Sequence, residues 1–168
     1  MWTYRGQGSG AHSFPLRNHM PPSQLIDVIG IETWSKYFKF ANLRNPWDKM
    51  VSQWFFRNRS VPNVDEESLT PGVLEAHIEQ HQRSNVETEL SEPQFAIETW
   101  IRYEHLREDV TRVAELLNIP WPPPSWPVLK SGIRPDATRD YRRFFTARSK
   151  RLVEEKYRDW IELGEYRF

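Results

Sequence analysis

The 168-residue sequence contains no cysteine. That removes disulfides, thiolate nucleophiles and cysteine-bound zinc together. It also lacks net charge, because 23 Lys and Arg balance 23 Asp and Glu. Broad electrostatic binding to nucleic acid or to an anionic membrane is thereby argued against, and an anion has to be met in a local pocket. No apolar run approaches the roughly 20 residues that a bilayer span needs, and no signal-like apolar segment opens the chain. A cytoplasmic protein of one domain, residues 1–168, with length enough for a core, is the expectation. Aromatic residues, by contrast, are plentiful: eight Trp and nine Phe make the expected burial largely aromatic.

The most informative stretch runs from Tyr37 to Phe56. Tyr37 to Leu43 reads as a short buried strand. Arg44-Asn45-Pro46 breaks it, with Asn45 suited to cap a helix and Pro46 to its first position. Trp47, Met50, Val51, Trp54 and Phe55 then recur on one helical face. Strand, tight turn and helix follow one another, and the free N–H groups of the helix start are expected beside Arg44, where an anion would settle.

Elsewhere the pattern is mixed. Arg5-Gly6-Gln7-Gly8-Ser9-Gly10 lacks both the strand before it and the Lys-Ser or Lys-Thr after it that a phosphate loop requires, so residues 1–15 read as a flexible lead-in. Helices are expected over Ser23–Ile29, ended by Gly30, and over Thr70–Arg83 behind a Thr-Pro cap. The second carries His77 and His81 one turn apart. His77-Ile78-Glu79-Gln80-His81 is not the zinc-binding His-Glu-x-x-His order, and a solvated helix face is the reading. Gln94–Tyr103 reads as a second strand. Glu104–Asn118 reads as an amphipathic helix with Leu106, Val110, Val113, Leu116 and Leu117 inward. The tract Pro120–Pro127 can be neither helix nor central strand. A last helix is expected from Thr146 to Leu163, with Val153, Tyr157, Trp160 and Ile161 inward, Gly164 ending it and Tyr166–Phe168 folding back.

Arg44-Asn45-Pro46-Trp47-Asp48-Lys49-Met50-Val51-Ser52 resembles the 3′-phosphate-binding segment of carbohydrate-type sulfotransferases that use 3′-phosphoadenosine 5′-phosphosulfate (PAPS). Trp34–Phe40, Arg102-Tyr103-Glu104-His105-Leu106 and the closing Gly164-Glu165-Tyr166-Arg167-Phe168 are similar to further segments of that family, so the resemblance runs from about His19 to the last residue. It implies an α/β fold with a mostly parallel sheet flanked by helices, like the P-loop nucleotide kinases. It implies transfer of a sulfuryl group from PAPS to a hydroxyl, most naturally of a small-molecule or glycan acceptor. Arg44 and Ser52 then hold the donor's 3′-phosphate. Lys130, Gly132 and Arg134 match the late basic-glycine loop that closes over it. His19 matches a histidine that commonly precedes the 3′-phosphate segment in relatives, and imidazole suits the base that takes the acceptor hydroxyl's proton. No metal is implied. The family's opening strand and Lys-Thr-Gly-type loop, which cradle the 5′-phosphosulfate, have no counterpart here. A strand, a phosphate loop and most of a helix are therefore expected to be missing before Met1. The alternative is a protein that keeps the scaffold without the chemistry, its aromatic surplus and proline tract serving an interface or a homo-oligomer.

Overall fold

The computed structural model describes residues 16–120 and 132–168. The described residues fall into two compact units, one of residues 16–39 with Arg83–Glu98, the other of Phe40–Gln82 with Thr99 onward.

In the first unit, helix α1 (Pro22–Ile29) starts at a proline and stops at Gly30. Gly30 has φ 83°, a left-handed value that glycine adopts without cost. Helix α2 (Ile31–Lys36) follows at once, where the sequence had shown only a lead into the strand. Helix α5 (Asn85–Leu90) closes the unit behind a Ser84–Glu87 capping box, and Glu89 ties it to α1 by accepting from the Ser23 N–H and hydroxyl, both at 2.8 Å. Lys39 is 8% exposed because its ammonium donates to the Tyr37 carbonyl at 2.6 Å and pairs with Glu98 at 2.9 Å.

The second unit holds the sheet and the main core. Strand β1 (Phe40–Leu43) pairs in parallel with β2 (Thr99–Arg102), Phe40 facing Thr99 and Leu43 facing Arg102. The fold is mixed α/β, but helices dominate it, and the sheet among the described residues has two short strands. Both strands are shorter than their apolar runs. Tyr37–Lys39 belongs to the approach from α2, while Pro93–Phe95 makes a 3-10 turn and Ala96 a left-handed kink (φ 49°) before β2 begins.

Helix α3 (Pro46–Arg57) buries Trp47, Met50, Val51, Trp54 and Phe55, the whole expected face. Helix α4 (Pro71–Gln80) adds Leu74 and Ile78. Helix α7 (Ala147–Lys156) adds Val153, and α8 (Arg158–Gly164) adds Trp160. Tyr166 and Phe168 do fold back on this core, and the Phe168 ring stands edge-on to Trp47 at 5.5 Å between centroids.

Three expectations need correction. The last helix is not continuous, since Tyr157 (φ −127°, ψ 27°) leaves helical geometry between α7 and α8. Gly164 is the last residue of α8, as expected, but the left-handed conformation falls on Glu165 and not on the glycine. In helix α6 (Leu106–Leu116), Val113 is buried as expected, but Leu116 is 60% exposed, and the other buried positions are Ala114 and Asp109, the latter held by Arg102 and Arg112. No described helix is long and apolar enough to cross a membrane.

Candidate functional site

Leu43 ends β1 as a buried anchor, and the next three residues turn the chain into α3. Asn45 organises that turn. Its Oδ1 accepts from the N–H groups of Trp47 (3.0 Å) and Asp48 (3.2 Å), and its carbonyl accepts from Lys49. Its own N–H goes to Glu104 Oε1 at 2.8 Å, and its amide nitrogen donates to the Tyr141 hydroxyl. The open N–H groups expected beside Arg44 are therefore already satisfied, because the cap residue takes them. An anion at this place must be met by side chains.

Side chains do converge there. Arg44 Nε and Nη2 both donate to Asp48 Oδ2, at 2.9 and 2.5 Å. The Arg44 guanidinium carbon lies 4.2 Å from the centre of the Tyr103 ring, a cation–π contact that covers one face of the fork. The other Asp48 oxygen accepts from Arg134 Nη1 at 2.5 Å, across 86 positions of chain. Two guanidinium groups thus meet on one carboxylate. Arg44 keeps 24% of its side chain exposed and Arg134 16%. Ser52, half-buried, stands one helical turn beyond Asp48 on the same side of α3, about 6 Å along the axis.

The Arg102-Tyr103-Glu104 segment supports this cluster. Tyr103 lies under Arg44, while Glu104 accepts from Asn45 on one oxygen and from the Tyr166 hydroxyl on the other, at 2.9 Å. Burial, and then the Glu104 carboxylate, hold the Tyr166 phenol protonated well above its ordinary range. Arg102 itself turns away to Asp109, whose carboxylate is 1% exposed.

Of the residues singled out in the sequence, Arg44 and Arg134 are brought together through Asp48. Gly132 has φ 79° with nothing within 4 Å of a hypothetical Cβ, so its need for glycine is conformational. His19 is exposed, left-handed at φ 61°, and belongs to the other compact unit. Lys130 lies outside the described residues, as do residues 1–15 and most of the proline tract. Asp48, Tyr103 and Thr138 were missed; only the i, i+4 spacing of Arg44 and Asp48 hinted at one of them. A groove of about 590 Å³, lined by Lys150, Arg158, Ile161 and Phe168 among others, does not include Arg44, Ser52 or Arg134. Phosphate recognition depends on converging donors more than on enclosed volume.

His77 and His81 are not on a solvated face. His81 is 2% exposed, with Nε2 2.7 Å from the Tyr157 hydroxyl. Lys49 donates to that hydroxyl at 3.3 Å, which leaves its proton for His81. Burial, with Lys49 and Arg57 nearby, lowers His81 to about 4, and burial with Arg57 lowers His77 to about 4. No group of three or more metal-ligating His, Asp or Glu residues occurs among the described residues.

Comparison with protein-family models, with curated proteins and with solved structures produced no match to this chain.

Proposed function

We propose that the chain recognises the 3′-phosphate of PAPS and serves transfer of its sulfuryl group to a hydroxyl, of a carbohydrate by preference, on a sulfotransferase-like α/β scaffold. The observation that carries this reading is the meeting of Arg44 and Arg134 on Asp48. Two cations, remote in sequence and singled out by resemblance as phosphate ligands, share one place. A phosphate accepting from Arg44 and from the Ser52 hydroxyl gains charge-assisted bonds of about 1.5–3 kcal/mol each. In the transfer, the bond from sulfur to the bridging phosphate oxygen breaks as the acceptor oxygen bonds to sulfur. The acceptor's proton passes to a base. The donor departs as 3′-phosphoadenosine 5′-phosphate (PAP).

No Lys-Thr-Gly-type cradle for the 5′-phosphosulfate occurs in these 168 residues. A second reading is that the nucleotide is bound without being turned over, since the preorganised charge of such a cradle is commonly the largest catalytic contribution.

PAP at 100 times its dissociation constant stabilises a folded protein by about 2.7 kcal/mol, which is roughly 5–11 °C in melting temperature for a domain of this size. Wild type should show that shift and Arg44→Ala should not. Equal melting with and without PAP in both proteins rejects the reading. A shift without sulfate transfer to any glycan selects the binding-only form.

A further inference from the structure

The arms of the Arg44 cluster are not equivalent. Arg134 directs its donors inward, with Nε on Thr138 Oγ1 at 3.0 Å, Nη2 on the Thr138 carbonyl, and Nη1 on Asp48 Oδ1 at 2.5 Å. Thr138 is fully buried, and its hydroxyl donates to the Pro135 carbonyl at 2.6 Å. Three of its five N–H groups are thereby engaged, one on each nitrogen, and Thr138 closes the Nε–Nη2 edge, which leaves at most one N–H on each terminal nitrogen for a phosphate. Arg44 is arranged differently. Its Nε side is taken by Asp48 and one face by Tyr103, so the Nη1–Nη2 end is the edge that stays presentable.

Building on the 3′-phosphate reading above, we propose that Arg134 and Asp48 are positioning residues. Thr138 clamps Arg134, Arg134 holds Asp48, and Asp48 sets the Arg44 guanidinium with its Nη1–Nη2 end toward the phosphate. The late basic loop then contributes Arg134 through a relay rather than as a direct ligand. The physical gain is preorganisation. A long arginine side chain that is fixed before binding does not have to be ordered during it, and its two end nitrogens match two phosphate oxygens. Asp48 reduces the pull on an anion by one charge, and the relay makes good that loss by geometry.

A double-mutant cycle in the full chain, read by calorimetric titration with PAP, tests the relay. Arg134→Ala and Asp48→Asn should each weaken binding on the order of tenfold, and the double variant should be no weaker than Asp48→Asn alone. A direct ligand would lose the same factor in both backgrounds, which would overturn the proposal, as would Arg134→Ala binding like wild type. Arg134→Lys, which keeps the charge but not the fork, should behave as Arg134→Ala and serves if the alanine variant does not fold. Wild-type affinity in Arg134→Lys would assign the role to charge alone and overturn the relay. Without ligand, the Arg44 Nε–H resonance, identified by its loss in Arg44→Ala, should move in both Asp48→Asn and Arg134→Ala. A resonance that stays put overturns the clamp whatever PAP does. Failure of wild type to bind PAP overturns the phosphate reading while that resonance still reports on the clamp.

Discussion

Asn45 does more work than any other single residue at the site, because its side chain caps α3, its N–H meets Glu104 and its amide reaches Tyr141. Replacing it with alanine removes the cap and leaves the N–H groups of Trp47 and Asp48 without their acceptor. Asn45→Ala should therefore cost about 1–2 kcal/mol, seen as a lower urea midpoint at unchanged m-value. The cap itself was legible, since an Asn before a Pro that opens an apolar helical face has one sensible role. What the cap did to the helix start was not legible, since it leaves the N–H groups of Trp47 and Asp48 satisfied, and the Arg134 partner of Asp48 arrives from 86 positions further on.

The helices divide along the same line. Asn45, Thr70 and Thr146 cap α3, α4 and α7 as read from the sequence, because a cap is a local contact between neighbours. The break between α7 and α8 had no local sign, since neither glycine nor proline marks it. Tyr157 there is fully buried, and its hydroxyl is shared by His81 and Lys49. Gly164 shows the reverse error. Its place at the helix end suggested a left-handed terminus, but Glu165 takes that conformation (φ 53°). Glycine is required at 164 for space, because a Cβ there would lie 2.2 Å from the Tyr166 ring and 2.9 Å from Leu43. Gly164→Ala should cost roughly 1–3 kcal/mol through displacement of that ring, read as a lower melting temperature, and should loosen the Tyr166–Glu104 bond.

The second unit as a whole carries a pH signature. His77 and His81 have folded-state values of about 4 against an ordinary 6.5, lowered first by burial and then by cations, Arg57 for both and Lys49 and Lys156 for His81. Between pH 6.5 and 4 the unfolded chain binds more protons than the folded one, so stability falls as pH falls through that window and is level above it. The slope approaches about 1.4 kcal/mol per pH unit for each histidine. Urea midpoints at pH 7 and pH 5 should differ accordingly, and His81→Gln should remove about half of the difference. Tyr157→Phe should cost about 1–3 kcal/mol at pH 7, because it leaves His81 Nε2 buried without its partner.

Local sequence dictated the apolar face of α3, its N-cap, the two short apolar stretches that hold the strands, and which arginine stands at the strand-to-helix turn. All of these depend on residues within a few positions of one another, where periodicity and capping act. Tertiary structure alone decided that Asp48 joins Arg44 to Arg134, that Glu104 joins Asn45 to Tyr166, and that of two histidines of apparent surface spacing His81 is buried and His77 half-buried. Those outcomes depend on which distant groups are desolvated together, and burial turns a spacing into a partner only once the chain has closed around it.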